Sequence, residues 1–163
     1  MNPIDCFTPL RHKAEKIPSY IHWLLGQNPS WEEHFGFQAV PIPTEFIKVE
    51  PALNELNQIW KIGRLGLLRV EKNSVYDWHV DQFRQSCVNL LYSTKNKSHT
   101  LFGHQRDCLN KDVTELNYEP DTFYLFNNQI QHTVINLDGP RYLFSLYFDE
   151  EKDYVSLRNL YNG

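Results

Sequence analysis

The sequence predicts a mostly β protein, a sandwich or barrel of short strands carried on N-terminal helices. Aromatic residues make up 14% of the chain and lean towards strand formers. From Arg64 to Phe148, short extended runs alternate with turn residues. Before about residue 62 the pattern is helical or irregular instead.

The elements follow in order. Ala14 to Gln27 carries Ile17, Tyr20, Ile21, Leu24 and Leu25 at spacings near three and four, which predicts an amphipathic helix with Pro18 close to its start. Pro29, Pro41 and Pro43 mark a connection. Pro51 to Trp60 places Leu53, Leu56 and Trp60 on one face of a second helix, with Pro51 suited to its first turn. Strands are then expected at LGLLRVEK, VYDWHVD, SCVNLLYS, HTLFG, TFYLFNN, HTVINL and RYLFSLYF. EKNS supplies the first turn, STKNKS a polar hairpin loop and LDGP the tight turn before the last strand. The final DEEKDYVSLRNLYNG reads as a short helix or a tail. Seven or so short strands at this spacing suggest a sandwich or barrel. With no repeat or low-complexity tract, one domain is expected: helical support over 1–62, a β core over 63–148 and a tail over 149–163.

Composition narrows the function classes. The 163 residues are 41% hydrophobic, enough for a real core. A net charge of −4 argues against a nucleic-acid partner, which favours a basic surface. No apolar run is long enough for a membrane span, and MNPIDCFTPLRHK lacks the features of a secretion signal. Cys6, Cys87 and Cys108 show no CxxC spacing, so neither a structural disulfide nor a cysteine zinc site is expected. A cytoplasmic setting without membrane attachment is the expectation; the oligomeric state is not readable.

The chemistry concentrates in VYDWHVDQFR. Residues i and i+2 of a strand share a face, so His79 and Asp81 would project together and coordinate one metal. Roughly 0.4 such triplets arise by chance in a chain with this content, so the triplet alone does not identify a metal site. His132, opening the late strand HTVINL, is the candidate third ligand. Two histidines and one carboxylate on one face of an iron ion leave the opposite positions for a bidentate 2-oxo acid and dioxygen. Arg141 follows nine residues after His132, past the LDGP turn, and an antiparallel hairpin would return it beside the strand of His132. Facing inward, it would need an anion, and the distal carboxylate of 2-oxoglutarate fits its bidentate fork. Facing outward, it would simply follow a turn.

The order of HVD, further strands and LFNNQIQHTVINLDGPRYLFSLYF resembles the double-stranded β-helix, or jelly-roll, core of the 2-oxoglutarate- and iron(II)-dependent dioxygenases. Phe123 to Phe148 is similar to the end of aspartyl/asparaginyl β-hydroxylase-like members. The resemblance spans about residues 64 to 148 and implies His79, Asp81 and His132 as iron ligands, with Arg141 on the cosubstrate. It also implies a polar contact to the cosubstrate at Asn89. The β-hydroxylases have glycine where Asp81 stands, so this chain departs from them in keeping a full ligand triad. The implied activity is hydroxylation of a peptide side chain or small molecule, with decarboxylation of 2-oxoglutarate to succinate. The competing readings are a cupin-like metal enzyme that does not use 2-oxoglutarate and a non-catalytic binding barrel.

Other residues stay open at this level. Arg84 would either clamp an anionic substrate or stand as a solvated loop charge. Leu67 and Arg69 share a face, so either is a candidate for the pocket. Tyr76, Trp78 and Phe83 would shape a pocket or simply pack. His99 and His104 suit surface or hydrogen-bonded roles, and Cys87 suits a small buried one.

Overall fold

In a computed structural model, in which residues 1–93, 95 and 97–163 are described, sixteen elements run along the chain. The N-terminal part holds α1 (Pro3–Cys6), β1 (Phe7–Lys13), α2 (Ile17–Gly26), β2 (Glu32–His34), β3 (Phe37–Ile42), α3 (Phe46–Val49) and α4 (Pro51–Ile59). Then come β4 (Ile62–Val70), β5 (Ser74–His79), β6 (Ser86–Leu91), β7 (Ser98–Gln105), β8 (Lys111–Glu115), β9 (Thr122–Asn127), β10 (Gln131–Asn136) and β11 (Arg141–Phe148). Helix α5 (Tyr154–Asn162) ends the chain.

The strands form a seven-stranded sheet ordered β1-β9-β6-β11-β4-β3-β2 and a four-stranded sheet ordered β5-β10-β7-β8. From β4 onward the chain passes back and forth between the two, and every pairing is antiparallel. This is the expected double-stranded β-helix. Strand β6 is buried at all six positions, as a central strand covered on both faces should be. Edge strand β5 alternates between exposed and half-buried residues.

One face of the large sheet packs on the helices. Ile17 and Ile21 of α2, Leu53 and Leu56 of α4 and Leu157 of α5 share a buried cluster with Leu67, among other sheet residues. A smaller cluster of Cys6, Cys87, Phe102, Leu116, Tyr124 and Phe126 lies on the barrel side. The helices therefore back one sheet and leave the interior between the sheets for a site. Among the described residues no helix is long and apolar enough to cross a membrane.

Four strands went unread in the sequence: β1, β2, β3 and β8. Proline explains two of them. Pro9 sits in β1 at the edge of its sheet, and Pro41 in β3, so both runs lose the look of a strand. Strand β8, KDVTE, lacks a full apolar alternation because it is the other edge of the small sheet. The expected strand VYDWHVD stops at His79, leaving Asp81 just beyond it. The EKNS and LDGP turns are present, with Asn73 at φ 54° and Gly139 at φ 53°. But LDGP closes no hairpin: β10 pairs with β5 and β7, while β11 joins the other sheet between β6 and β4. Thr94 and Asn96 of the expected STKNKS loop lie outside the described residues.

A buried carboxylate locks the N-terminal part. Glu50, 0% exposed, accepts hydrogen bonds from the backbone N–H groups of Glu15, Lys16 and Ile17 at 2.7–3.1 Å. It thereby satisfies the free donors at the start of α2, whose own cap residue Lys16 offers no side-chain acceptor. Glu50→Ala should therefore lower unfolding free energy by about 2 kcal/mol or more in urea titration, and Glu50→Gln by less.

Candidate metal centre

His79 ends β5 and His132 stands near the start of β10, directly opposite it in the antiparallel register. The register shifts between His132 and Val134, a bulge-type irregularity of the kind that re-aims a side chain. The two imidazole rings lie 4.3 Å apart between centroids. Asp81, two residues past His79, is fixed by its N–H donating to the Asn128 carbonyl at 3.1 Å. One donor atom from each of the three residues falls within 4.8 Å of the others.

Backbone carbonyls set the ring orientations. His79 Nδ1 lies 2.6 Å from the Asp77 carbonyl and His132 Nδ1 lies 2.9 Å from that of Ile130. A carbonyl only accepts, so each Nδ1 carries the proton and each Nε2 turns to the centre. There the Nε2 atoms lie 3.5 and 3.7 Å from the same Asp81 oxygen, Oδ1. A backbone acceptor on the far nitrogen is a usual support of a metal-ligating histidine.

The other Asp81 oxygen is already engaged. Oδ2 accepts from Arg84 Nε at 2.9 Å and from the Asn128 amide. Arg84 in turn donates to Ser145 Oγ at 3.0 Å and lies 4.4 Å from the Tyr147 ring centre. It is thus neither a solvated loop charge nor a free anion clamp; it braces Asp81.

Electrostatics favour a cation among these groups. Burial works to raise the Asp81 pKa, but His79, Arg84, His132 and Asn128 outweigh it and hold the carboxyl well below the usual range. Burial pushes His132 down to about 4, which keeps it neutral and able to donate a lone pair at neutral pH. His79 moves the other way: burial lowers it, yet the Asp81 contact and the Asp77 carbonyl raise it on balance. Positive charge between His79 and Asp81 is favoured, whether a proton or a metal ion carries it. Two imidazoles and a carboxylate are the donor set of a facial iron(II) site.

Deeper in the same cavity, of about 710 Å³, lies Arg141. It is 2% exposed and opens β11 opposite Val70. Residues 141, 143, 145 and 147 alternate into the cavity wall, so the arginine faces inward with its strand. Asn136 fixes this entry by donating to the carbonyls of Val70, Glu71 and Gly139 at 2.8–3.1 Å. Arg141 Nη2 donates to Thr100 Oγ1 at 2.8 Å, but Nε has no hydrogen-bond partner and no carboxylate among the described residues pairs with it. The buried Tyr118 hydroxyl stands beside Arg141 and Thr100, and burial pushes its pKa up to about 12. A buried cation with a free Nε and a hydroxyl beside it form a fitting seat for an anionic group.

Asn89 lines the cavity, accepts from Cys87 Sγ at 3.5 Å and faces Ser145 across the β6–β11 pair. Its contact to a cosubstrate stays a proposal. Arg69 is not in the cavity wall: Leu68 and Val70 are, while Leu67 joins the helix-side core and Arg69 stacks 4.9 Å from Trp31. His99 bonds Glu115 at 2.7 Å on the surface. The sequence reading missed Thr100, Tyr118, Asn128 and the bracing role of Arg84. Ser145 was legible in principle, at two-residue steps from Arg141.

No protein-family model and no curated sequence matches the chain. Solved structures do match. A Pseudomonas putida prolyl-4-hydroxylase aligns at 10% identity and TM-score 0.65, over 90% of this chain and 92% of that one. A Trichoplax adhaerens prolyl hydroxylase, in complex with a hypoxia-inducible-factor oxygen degradation domain peptide fragment, aligns at 12% and 0.65, over 96% and 87%. HygX from Streptomyces hygroscopicus, with nickel and 2-oxoglutarate bound, aligns at 10% and 0.60, over 86% and 81%. At these identities the likeness is one of fold: the chain has the jelly-roll fold of 2-oxoglutarate/iron(II) oxygenases.

Loss of an outer hydrogen bond to a metal ligand typically costs 10–100-fold in metal affinity. Arg84→Met should therefore weaken Co(II) binding by about that factor, read from the ligand-field absorption, with Arg84→Lys intermediate.

Proposed function

We propose that the protein is a 2-oxoglutarate- and iron(II)-dependent oxygenase that hydroxylates a peptide side chain or a small molecule. The observation that carries the reading is the layout of one cavity. A two-histidine, one-carboxylate cluster lies towards its mouth, and an inward arginine without a counter-ion among the described residues lies deep inside. The neighbours of this fold include one described as a 2OG-Fe(II) oxygenase family oxidoreductase and another, HygX, with nickel and 2-oxoglutarate bound, which supports the same reading.

His79 Nε2, Asp81 Oδ1 and His132 Nε2 would hold iron(II), and Arg141 with Thr100 and Tyr118 would seat the distal carboxylate of 2-oxoglutarate. When bound, this pair supplies oxidation of a C–H bond by dioxygen: one oxygen atom enters the substrate, the other enters succinate, and carbon dioxide leaves. The protein's own share is orientation. Arg84 and Asn128 occupy Asp81 Oδ2, which reserves Oδ1 for the metal. Leu68, Val70, Val134 and Leu143 line the cavity with apolar surface that excludes water. Asn89 stands where a polar contact to the cosubstrate is available. The likeness of Phe123–Phe148 to aspartyl/asparaginyl β-hydroxylase-like members belongs to this reading, with Asp81 favouring hydroxylation over halogenation.

Anaerobic addition of iron(II) and then 2-oxoglutarate should produce the weak visible charge-transfer band of the chelate. His132→Ala should abolish it. Arg141→Ala should raise the 2-oxoglutarate concentration needed by about 30-fold or more, since removing one partner of a buried charge pair costs about 2 kcal/mol at least. Arg141→Lys should rescue little, because lysine lacks the bidentate fork. Iron binding without a band at any 2-oxoglutarate concentration would overturn the proposal in favour of a cupin-like metal enzyme. No metal binding would leave a binding barrel.

A further inference from the structure

Two phenylalanines line the cavity and yet are almost wholly exposed: Phe35 at 95% and Phe83 at 88%. A side chain that both borders a cavity and faces solvent stands at its mouth. Val80, also in the lining, is exposed too. Covering such apolar side chains removes them from water and is favourable.

Both rings are presented on braced turns. Phe35 is at the tip of the β2–β3 hairpin, next to Gly36, whose φ is +80°. A Cβ on Gly36 would lie 2.6 Å from the Tyr76 ring, so only glycine lets the tip seat on β5. Tyr76 in turn lies 4.3 Å from the His79 ring, between centroids. Phe83 rides the 81–85 turn, which Gln129 fixes by donating to the carbonyls of Asp81 and Arg84 at 3.1 Å each. Exposed aromatic side chains on fixed backbone are what recognition surfaces use.

The depth of the cavity says what kind of molecule they meet. Its inner end, at Arg141, is closed off, while His79 and Asp81 are partly open to solvent, with side chains 24% and 17% exposed. A reacting group therefore needs to enter only as far as a side chain reaches. A small molecule contained in the cavity would leave Phe35 and Phe83 bare; a chain crossing the mouth would cover both. A net charge of −4 disfavours a polyanion as that chain.

We infer that the substrate is a polypeptide segment, one side chain of which enters the cavity while apolar neighbours on either side lie against Phe35 and Phe83. This rests on the oxygenase reading above, and the reaction is the same C–H hydroxylation with 2-oxoglutarate and dioxygen consumed.

The test uses the full chain with iron(II), 2-oxoglutarate and air. It compares two pools of short synthetic peptides with mixed central residues, one flanked by Leu and Phe and the other by Ser and Gly. A mixture of free amino acids and a single-stranded DNA oligonucleotide complete the arms. The apolar-flanked pool alone should raise succinate formation several-fold and yield a product heavier by one oxygen atom. Phe35→Ser and Phe83→Ser should each raise KM for that pool about tenfold or more, the loss of one buried phenylalanine contact, while the chelate band persists. A band and basal succinate with no response to peptides, or a response to free amino acids or DNA instead, would overturn the inference and leave the oxygenase standing. So would a KM unmoved in both variants. Absence of both band and succinate overturns the two together.

Discussion

A positive charge buried at the first residue of β11 is the constraint around which the site is arranged. An arginine with 2% exposure and no carboxylate partner among the described residues is costly to keep inside a protein. Several features hold it there. The β10–β11 turn, with Gly139 at φ 53°, carries the chain from the small sheet to the large one. Asn136 ties that turn to the end of β4, and the strand alternation leaves the guanidinium no outward path. Thr100, from the opposite sheet, satisfies only one of its nitrogens. The scaffold stores an unmet electrostatic demand at the bottom of a cavity. An anion of the right length is what meets it.

The metal cluster depends on the same two strands in a different way. His132 near the start of β10 and Arg141 at the start of β11 stand on different sheets, and one turn joins the two strands. Strand β5 pairs with β10 and brings His79 opposite His132. The third donor then comes from the chain leaving β5, pinned by Asn128 at the far end of β9. Each donor has an independent support: Asp77 and Ile130 carbonyls for the histidines, Arg84 and Asn128 for the carboxylate. Such support is also what keeps the carboxylate ionised against its own burial.

Much of this was legible from the residues, for identifiable reasons. The strands from β4 to β7 and from β9 to β11 carry apolar runs bounded by turn residues, and those signals are local. His79, Asp81 and His132 converge as the spacing and strand placement implied. The inward setting of Arg141 follows from the period of two once the strand start is known. What escaped was what depends on pairing over long distances. Tyr118 sits in a loop with no pattern to mark it, and Thr100 is one residue of a strand whose partner is β10. Arg84 looked like a loop charge because its neighbours Asp81, Ser145 and Tyr147 come together only in the fold. Strands β1 and β3 were hidden by proline, which forbids a hydrogen bond at one position without forbidding the strand.

The N-terminal sixty residues, unreadable as to role, divide the work with the barrel. Their helices cover the outer face of the large sheet, with Glu50 fixing α2 through three backbone donors. Their strands do something else. Strand β3 adds to β4, β2 adds to β3, and the sheet so extended ends in a hairpin tip above β5. A jelly roll without this extension would keep the cluster and the buried cation, because none of those residues comes from it. It would lose one side of the mouth. One border of the entrance, at Phe35, therefore lies in a separate stretch of chain from the parts that set chemistry, while the other, at Val80 and Phe83, adjoins them. Substitution at the hairpin tip can change what enters without touching what reacts, and this separation lets one scaffold serve many substrates.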